Sequence, residues 1–432
     1  MTELTPPPVV LDIARVLESA GFETWCVGGA VRDALLGKVH LDWDLATAAT
    51  PQQVKLLFRR TVPVGIEHGT IGILDPQGTL HEVTTFRRDV KTDGRHAVVE
   101  FGASLDEDLA RRDLTINAIA WSPSRQVMHD PFDGRGDLTR KLVRAVGDPP
   151  ARMREDRLRA LRAMRFASRF GFTIEPATWA AIVDSAPFLK RLSAERVRQE
   201  LEKTMEQVAR PSEAIALWRS ARVLDELLVA LVGVSDVAIR SLDCLPVPGL
   251  PGRPQRRTNR IAALFLELGG RGADGALRAL RCSNSDIAWI SALAERWAML
   301  GATMEQALLA PSGPADAEIR RWAAVVGRTR LGPLLRLAAA RWKAQMELGR
   351  PGPTAERVRS LYRRALRIAW RDPIELADLA VDGDDLLQAQ IASGPALGRI
   401  LIRLLDAVVT DPAVNTRDAL LAVARRTAAE EA

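Results

Sequence analysis

The chain has little cysteine and no long apolar run. Only three cysteines, Cys26, Cys244 and Cys282, occur among 432 residues, and they lie far apart. Their odd number and wide spacing indicate neither a disulfide framework nor a cysteine-based metal site, so a reducing cytoplasm is the expected compartment. No apolar run approaches the roughly 20 residues that a membrane-spanning helix needs. The first residues also lack the basic and apolar pattern of a signal peptide, which favours a soluble cytoplasmic protein.

Aromatic residues are also scarce at 5%, with ten tryptophans but a single tyrosine. Extensive base stacking on aromatic platforms is therefore not the expected way for this chain to bind a nucleic acid. The net charge of +6 nevertheless suits a polyanionic partner. With 432 residues and 47% hydrophobic content, the chain is long enough for about two to four globular domains.

A glycine pair is the first candidate for function. The β-favouring residues 25–27 enter Gly28 and Gly29, and a short helix that carries Arg32 starts directly after them and ends near Gly37. Glycines at such a junction allow the backbone to come close to a ligand. The exposed N–H groups of a helix start can then bind phosphate. By itself, a glycine pair is more often an ordinary turn.

Two acids follow on the next predicted strand. Asp42 and Asp44 alternate with Leu41, Trp43 and Leu45, so the carboxylates face one side of the strand and the apolar residues the other. Two carboxylates about 7 Å apart suit a hard divalent cation such as Mg²⁺, and paired metals can bind the oxygens of a phosphoryl displacement. An Asp-x-Asp alone is commonly a solvated strand end. Together with the glycine turn, it predicts a nucleotidyl-transfer centre with triphosphate on the turn and metal on the aspartates.

The neighbouring residues predict a small α/β domain around these motifs. Gly21 ends a first helix, and Thr50 with Pro51 begins another. Short strand signals follow at residues 61–66, 70–74 and 79–86.

Two features of this domain allow alternative interpretations. Glu82 is either a third carboxylate near the metals or, slightly favoured, an exposed strand acid. Residues 88–97 are polar and contain a glycine, which predicts a mobile loop with Asp89, Asp93 and Arg95 exposed. Such a loop is either simply solvated or reshapes the nucleotide pocket.

A basic pair with an acid forms the next candidate site. Arg111, Arg112 and Asp113 come at the end of a short acidic helix, and Asn117 follows four residues after the acid. The planar fork of an arginine suits phosphate oxygens. Asp113 can accept a hydrogen bond from a ribose hydroxyl, and Asn117 can brace either group. Residues 130–138 are rich in turn formers and close the α/β part.

The second half of the proposed site lies on an arginine-rich segment. Residues 152–169 have strong helical propensity. We predict one continuous helix, on which Asp156 and Arg159 share a face and bind the nucleotide base. Arg162 and Arg165 continue around the helix and either meet phosphates or brace that pair. Taken alone, Asp156 and Arg159 would more often be a weak surface ion pair.

Assigning Asp156 and Arg159 to the base has a consequence for nucleotide choice. Cytosine and adenine present an exocyclic amine beside an unprotonated ring nitrogen, whereas guanine and uracil present a carbonyl beside an N–H. A carboxylate accepts from the amine, and a guanidinium donates to the ring nitrogen. The pair should therefore admit C and A and reject G and U, because a mismatch leaves buried polar groups unpaired.

The rest of the chain, after Gly171, predicts helices. Ser193 is the expected N-cap of a helix whose charged residues form a bracing network. The Pro- and Gly-rich residues 246–258 predict a loop or linker. Basic residues scattered through the later helices suit a nucleic-acid backbone, although a solvated face is the simpler interpretation of any one of them.

Four motifs occur in the order and approximate spacing of one family. They are the glycine turn with Arg32 and Asp33, Asp42-Trp43-Asp44, Arg112-Asp113 to Asn117, and Glu155-Asp156 to Arg159 with Arg162 and Arg165. In these motifs the chain resembles the class II CCA-adding tRNA nucleotidyltransferases and the bacterial poly(A) polymerases. Residues 379–383 and 417–421 also resemble the tail of bacterial CCA-adding enzymes, so the resemblance spans nearly the whole chain.

This resemblance implies an α+β fold and a transfer reaction. A nucleotidyltransferase head of DNA polymerase beta type with a mixed sheet (residues 1–150) would precede an all-α neck for base recognition (151–210), a body (211–300) and a tRNA-binding tail (301–432). The implied activity is template-independent addition of C, C and A to the 3′ end of tRNA from CTP and ATP. The expected partners are therefore tRNA and these nucleotides, with no membrane and no nucleic-acid template.

Carried over by position, the resemblance assigns catalysis and Mg²⁺ binding to Asp42 and Asp44. It assigns the incoming nucleotide to Gly29, Arg32, Arg112, Asp156, Arg159, Arg162 and Arg165, and the arguments above add Gly28, Asp113 and Asn117. A poly(A) polymerase, or an enzyme that adds only the cytidines or only the adenosine, is the alternative with the same chemistry. A non-catalytic RNA-binding protein on a transferase scaffold is the alternative of another class.

Overall fold

The computed structural model of the protein describes residues 4–38, 42–92, 97–245 and 255–431. The chain divides into two compact units, Met1–Val229 and Ala230–Ala432. Every strand of the described residues lies in the first unit, whereas the described part of the second unit is helical. This distribution confirms the predicted α+β class. The domain boundaries at residues 150, 210 and 300 remain predictions.

A mixed sheet organises the first unit. The strands are β1 Thr24–Val27, β2 Leu45–Thr47, β3 Thr61–Gly65, β4 Thr70–Leu74, β5 Leu80–Thr85, β6 Arg87–Thr92, β7 Ala97–Phe101, β8 Ala120–Ser122, β9 Val127–His129, β10 Leu142–Val143 and β11 Thr173–Ile174. Seven of them form one sheet in the order β3-β4-β5-β2-β1-β8-β9, in which only β2 and β5 run parallel. β6 pairs with β7 as a separate hairpin, and β10 pairs with β11. The sheet therefore has the mixed character that the resemblance implied.

Eleven helices accompany these strands in the described part of the first unit. They are α1 Pro8–Ser19, α2 Gly29–Leu35, α3 Pro51–Leu57, α4 Leu105–Ala110, α5 Gly134–Arg140, α6 Pro149–Glu155, α7 Leu158–Phe170, α8 Pro176–Ser185, α9 Ala194–Gln207, α10 Pro211–Ser220 and α11 Val223–Leu227. Thr50 caps α3 through a reciprocal pair of hydrogen bonds with Gln53, as the sequence predicts. Gly37, with a positive φ of 69°, lies just past the end of α2.

The described part of the second unit contains ten further helices. They are α12 Asp236–Cys244, α13 Gln255–Phe265, α14 Gly269–Ala279, α15 Asn284–Leu309, α16 Asp316–Val326, α17 Arg328–Glu347, α18 Ala355–Arg371, α19 Gly383–Gln388, α20 Pro395–Thr410 and α21 Arg417–Glu431. Across residues 4–38, 42–92, 97–245 and 255–431, each helix is too short or too polar to span a bilayer.

A buried apolar cluster holds β1 and β2 in place. Trp25 and Val27 of β1 pack with Ala46 of β2, with Leu109 of α4, and with Phe86, which directly follows β5. Burial of apolar surface stabilises such a cluster by about 25 cal/mol per Å². The residues that directly follow β1 and directly precede β2 are thereby held beside each other.

The two candidate metal ligands lie just before a strand rather than within it. β2 begins at Leu45, so the prediction that Asp42 and Asp44 are strand residues is wrong. The backbone N–H of Val27 still donates to the carbonyl oxygen of Asp44 at 3.0 Å, but the next N–H, that of Gly28 in the glycine turn, donates to Ile119 instead. The predicted alternation nevertheless holds: Asp42 is exposed, Trp43 is buried, and Asp44 is half-buried.

The arginine-rich segment is interrupted where a continuous helix was predicted. α6 ends at Glu155, and Asp156 takes an extended conformation with φ −148° and ψ 107° before α7 begins. The Asp156 side chain explains the break, because its Oδ1 accepts a hydrogen bond from the backbone N–H of Leu158 at 3.0 Å. A short polar side chain that bonds to nearby backbone in this way competes with the helix and begins a new one.

Two predicted loops contain regular structure. Most of the polar segment 88–97 belongs to the β6–β7 hairpin, in which Arg88 pairs with Glu100 in register. Asp93 and Arg95 lie outside the described residues, and the structure describes no side chain at Asp89. The turn-rich residues 130–138 contain the start of α5, because both carboxylate oxygens of Asp130 accept backbone N–H groups of its first turn.

Candidate active site

The glycine turn brings the backbone against an arginine side chain. Gly28 has a positive φ of 74°, a conformation that L side chains rarely adopt. A Cβ placed on Gly28 would lie 2.8 Å from Nη1 of Arg112. Gly29 then begins α2, which carries Arg32. The turn therefore requires glycine for its conformation and also for the close approach of Arg112.

A single cavity of about 520 Å³ collects most of the predicted site. Among the predicted site residues, it is lined by Gly28, Gly29, Arg32, Asp44, Arg112, Asp113, Asn117, Asp156, Arg159 and Arg162. The other lining residues are Val27, Leu45, Thr70, Glu82, Thr84, Arg87, Arg111 and Phe166. The structure thus brings together motifs that are more than a hundred residues apart in the sequence.

Asp42 and Arg165 do not line this cavity. Asp42 is exposed and lies two residues before Asp44, which does line it. Arg165 is buried, and its Nε donates to Oε2 of Glu200 at 2.7 Å while its Nη1 donates to Gln207 at 3.2 Å. These contacts tie α7 to α9. This bracing of α7 against α9 is neither the predicted contact with phosphate nor the predicted bracing of Asp156 and Arg159.

Asp113 is the centre of the polar network beneath the cavity. Its Oδ2 accepts from Nε of Arg162 at 2.7 Å, and its Oδ1 accepts from Nδ2 of Asn117 at 3.0 Å. Burial by itself would raise the pKa of Asp113. The positive charge of Arg162 and the hydrogen bond from Asn117 outweigh burial and lower that pKa to about 2. Asp113 is therefore an ionised carboxylate that orients Arg162 and Asn117.

Asp108 is a buried acid that the sequence analysis did not single out. Its two carboxylate oxygens accept from Nε of Arg111 and from Nη2 of Arg112, each at 3.1 Å. Nη1 of Arg112 also donates to the backbone carbonyl of Asn117 at 3.2 Å. The spacings of three and four residues on α4 were the available signal, since side chains at these spacings meet on one face of a helix.

The proposed base-recognition residues are each anchored by a separate partner. Oδ2 of Asp156 accepts from Nη2 of Arg196 at 2.7 Å, so the charged residues of α9 form the predicted bracing network. Nη1 of Arg159 donates to Oε2 of Glu155 at 2.7 Å, and its Nη2 donates to the carbonyl oxygen of Arg111 at 2.8 Å. A carboxylate and a guanidinium are thus held at the cavity wall before any ligand enters.

The carboxylates beside the cavity have the chemistry that a divalent metal ion requires. Asp44 and Glu82 line it, both are half-buried, and Asp42 lies two residues before Asp44 in the chain. Within the described ranges no group of three or more His, Cys, Asp or Glu side chains is arranged to hold a metal ion. This donor set still fits Mg²⁺, which commonly takes one or two carboxylates together with water and substrate phosphates.

Comparison with known proteins assigns the segments of the chain to described domains. Residues 24–144 match the model of the poly A polymerase head domain. Residues 171–231 match a model of an RNA and SrmB-binding site of polymerase A, and residues 332–424 match a model of tRNA nucleotidyltransferase domain 2.

Individual relatives match either nearly the whole chain or about half of it. The chain is 35% identical over 430 residues to the CCA-adding enzyme of Lactiplantibacillus plantarum, a match that covers 96% of this chain and 95% of that protein. The chain is 50% identical to the CCA-adding enzyme of Leuconostoc mesenteroides over 195 residues, which cover 45% of this chain and 48% of that relative. The crystal structure of the Bacillus stearothermophilus CCA-adding enzyme in complex with CTP superposes with a TM-score of 0.75 at 30% identity, covering 99% of both chains.

Proposed function

The chain belongs to the CCA-adding enzyme family, and from this premise we propose that it adds C, C and A in turn to the 3′ end of tRNA. The substrates are CTP and ATP, and each addition releases pyrophosphate. The observation that carries the proposal is the single cavity in which the glycine turn, Asp44 and the pair Asp156 and Arg159 meet. Bacterial tRNA matures in the cytoplasm, and we propose that compartment for the reaction.

The chemical step is a nucleotidyl transfer. The 3′-hydroxyl oxygen of the primer forms a bond to the α-phosphorus of the nucleotide, and the bond between that phosphorus and pyrophosphate breaks. Asp42 and Asp44 are the residues that would hold Mg²⁺. When bound, Mg²⁺ supplies positive charge that favours ionisation of the hydroxyl and neutralises the triphosphate. Glu82 lies on the neighbouring strand β5 and lines the same cavity, so both of its interpretations, a further acid near the metal or an ordinary strand acid, stay open.

The triphosphate is proposed to lie on the glycine turn. The half-buried Gly29 begins α2 and can offer its backbone N–H there, whereas the N–H of Gly28 donates to the carbonyl oxygen of Ile119 at 3.4 Å. Arg112 is held against the turn by Asp108. Arg162, fixed by Asp113 and partly exposed to the cavity, supplies a second guanidinium. Arginine is well suited to this task because its planar fork presents several donors to phosphate oxygens.

The base is proposed to be selected by protein groups alone. The Asp156 carboxylate accepts from the exocyclic amine of cytosine or adenine, and the Arg159 guanidinium donates to the adjacent ring nitrogen. Because Arg196 and Glu155 already hold these two side chains, their polarity does not adapt to guanine or uracil. Such preorganised recognition requires no nucleic-acid template.

A poly(A) polymerase, or an enzyme that adds only part of CCA, is the second candidate, because the matching head-domain model carries the poly A polymerase description. The test is to sequence the products made from tRNA that ends before CCA and from an unstructured RNA, each with all four nucleotides. The proposal expects C, C and A on the tRNA and then termination. A long adenosine tail on both RNAs would favour the polymerase, and two cytidines or a lone adenosine would indicate a partial enzyme. Absence of pyrophosphate release would indicate a non-catalytic scaffold.

A further inference from the structure

The ring of Phe166 contacts three arginine side chains at the wall of the nucleotide cavity. It lies near the middle of α7, is 5% exposed, and lines the cavity. The guanidinium carbon of Arg32 lies 5.0 Å from the centre of its ring, that of Arg162 5.5 Å and that of Arg165 4.4 Å. Arg32 comes from α2, whereas the other two arginines belong to α7. One ring therefore contacts cations from two separate elements of the site.

A second ring extends this platform. Phe170, one turn along α7, stacks on Phe166 with ring centres 5.9 Å apart and planes inclined by only 8°. The guanidinium carbon of Arg32 lies 4.9 Å from the Phe170 ring centre, so this one side chain contacts both rings. Arg169 contacts the Phe170 ring at 5.0 Å. We call Phe166 and Phe170 together the aromatic platform.

Hydrogen bonds connect three of these arginines, Arg32, Arg162 and Arg169, in a path that begins and ends on α7. Arg162 donates to Asp113, Asn117 donates to Asp113, and Arg32 donates to Asn117. The path continues because Nε of Arg32 donates to Oδ1 of Asp33 at 2.7 Å, and Nη2 of Arg169 donates to Oδ2 of Asp33 at 3.3 Å. Arg162 and Arg169 both belong to α7, so the path closes on the helix that carries the aromatic platform.

The charges along this path do not balance. Arg32, Arg162 and Arg169 carry three positive charges, whereas Asp33 and Asp113 carry two negative ones. Guanidiniums held this close repel one another, and the negative face of an aromatic ring offsets part of that cost for each cation. Of these three arginines, Arg32 and Arg162 line the cavity, where a triphosphate would meet them.

We propose that Phe166 is a positioning residue for nucleotide binding, whose ring holds Arg32 and Arg162 in the arrangement that receives the triphosphate. Phe170 and the ion pair of Asp33 with Arg169 fix that arrangement to α7. This inference rests on the proposed nucleotidyl transfer. In this proposal Phe166 and Phe170 position arginine side chains rather than stack on nucleotide bases.

The test compares variants that keep or remove the ring. Phe166→Leu keeps an apolar side chain without a ring, and Phe166→Tyr keeps the ring. Phe188→Leu is the matched control, because Arg157 and Arg191 lie over the Phe188 ring at 4.8 and 5.4 Å but none of these three residues lines the cavity. The measurements are the Kd for CTP without primer, the KM values for CTP, ATP and primer tRNA, kcat, and the melting temperature.

Phe166→Leu is expected to raise the Kd and KM for both nucleotides about tenfold, equivalent to about 1.4 kcal/mol, with the KM for primer tRNA within about twofold of wild type. Phe166→Tyr should stay close to wild type, and Phe188→Leu should leave all these constants unchanged. Nucleotide constants within twofold of wild type in Phe166→Leu would overturn the proposal, as would an equal rise in Phe166→Tyr or a parallel rise in the primer KM.

Two further measurements keep this result interpretable. If Phe166→Leu does not fold, Phe170→Leu is tested in the same way, because Phe170 is half-buried and its ring contacts Arg32 directly. A rise of about threefold in the Kd and KM for the nucleotides supports the proposal. An unchanged Kd contradicts it.

Product sequencing of the wild-type protein is run in parallel. Absence of CCA addition by wild type would refute the proposed function, whereas CCA addition with an unaffected Phe166→Leu variant would refute only the role of the ring.

Discussion

Gly28 and Arg112 lie so close that a side chain at residue 28 would collide with the guanidinium: a Cβ there would be 2.8 Å from Nη1. Arg112 cannot easily move away, because Asp108 and the carbonyl of Asn117 hold it. We therefore expect Gly28→Ala to displace Arg112 and to raise the KM for CTP and ATP at least about tenfold, since a lost charge-assisted contact costs about 1.5–3 kcal/mol. Steady-state kinetics on tRNA that ends before CCA measure this effect.

Gly21→Ala is the matched control for backbone strain. Gly21 has a similar positive φ of 87°, but a Cβ there would have nothing within 4 Å. Both alanine variants should lose stability by at least about 1 kcal/mol from the strained backbone, and Gly28→Ala should lose more because its ψ of −129° lies outside the left-handed helical region. Only Gly28→Ala should lose nucleotide affinity, and equal kinetics in the two variants would show that contact with Arg112 is irrelevant.

Asp113 makes stability depend on pH in the acid range. Its pKa in the folded protein is lowered to about 2 from an ordinary value of 3.8. A lowered pKa stabilises the fold above the unfolded value, and this stabilisation is lost as the pH falls from about 4 towards 2. Asp113→Asn should therefore reduce the free energy of unfolding by on the order of 2 kcal/mol near neutral pH, and the difference from wild type should shrink below about pH 4.

Urea unfolding at a series of pH values measures the Asp113 effect. Asp184→Asn removes an exposed acid of α8 and serves as the control, with no expected change in this pH dependence. A difference between wild type and Asp113→Asn that stays constant down to about pH 2 would show that the ionised carboxylate does not provide the stabilisation.

Asp42→Ala tests the proposed metal ligands. Asp42 is exposed, so its removal should leave the melting temperature within about 2 °C of wild type while incorporation of CTP falls by at least about a thousandfold. Full activity in Asp42→Ala would refute the metal assignment.

Glu82→Gln distinguishes the two interpretations of Glu82. If Glu82 supports the metal, the Mg²⁺ concentration for half-maximal activity should rise several-fold in this variant. An unchanged Mg²⁺ requirement would make Glu82 an ordinary strand acid.

Glu200→Gln tests whether Arg165 braces the fold. Both side chains of this ion pair are buried, and loss of one partner of a buried pair typically costs about 3 kcal/mol. We expect a correspondingly lower denaturant midpoint. Glu206→Gln, at an exposed position on the same helix, should leave the midpoint unchanged. Equal midpoints for the two variants would show that the pair does not stabilise the contact between α7 and α9.

The sequence predicted which residues line the cavity better than it predicted their local backbone conformation. Gly28, Gly29 and Asp44 were predicted site residues and line the cavity, whereas Asp42 does not line it. The alternation about Trp43 was predictable because period-two burial is a local property of the backbone. The exact start of β2 was missed because it depends on where its partner β1 leaves the ladder. The break at Asp156 was missed because helix propensity does not include the competition of one side chain for the backbone.

Other features depend on contacts between distant segments. Arg32 meets Asn117 and Phe166, and Asp156 meets Arg196, across separations that no periodicity in the sequence reveals. Arg165 was grouped with Arg162 because the two are three residues apart, yet one turns to Glu200 and the other to Asp113. Such a division among neighbouring arginines follows only from which acids the tertiary fold brings near.

We propose that protein side chains at one cavity decide which nucleotide is added, and Asp156→Asn is the variant that tests this proposal. The amide can still accept from the backbone of Leu158, but it also offers an N–H to the carbonyl of uracil or guanine. The measurement is the relative kcat/KM of CTP, ATP, UTP and GTP on tRNA that ends before CCA, with Asp184→Asn as the control. We predict that discrimination against UTP and GTP falls by about tenfold or more. An Asp156→Asn enzyme that is slower but retains the wild-type order and ratios of nucleotide preference would contradict the account.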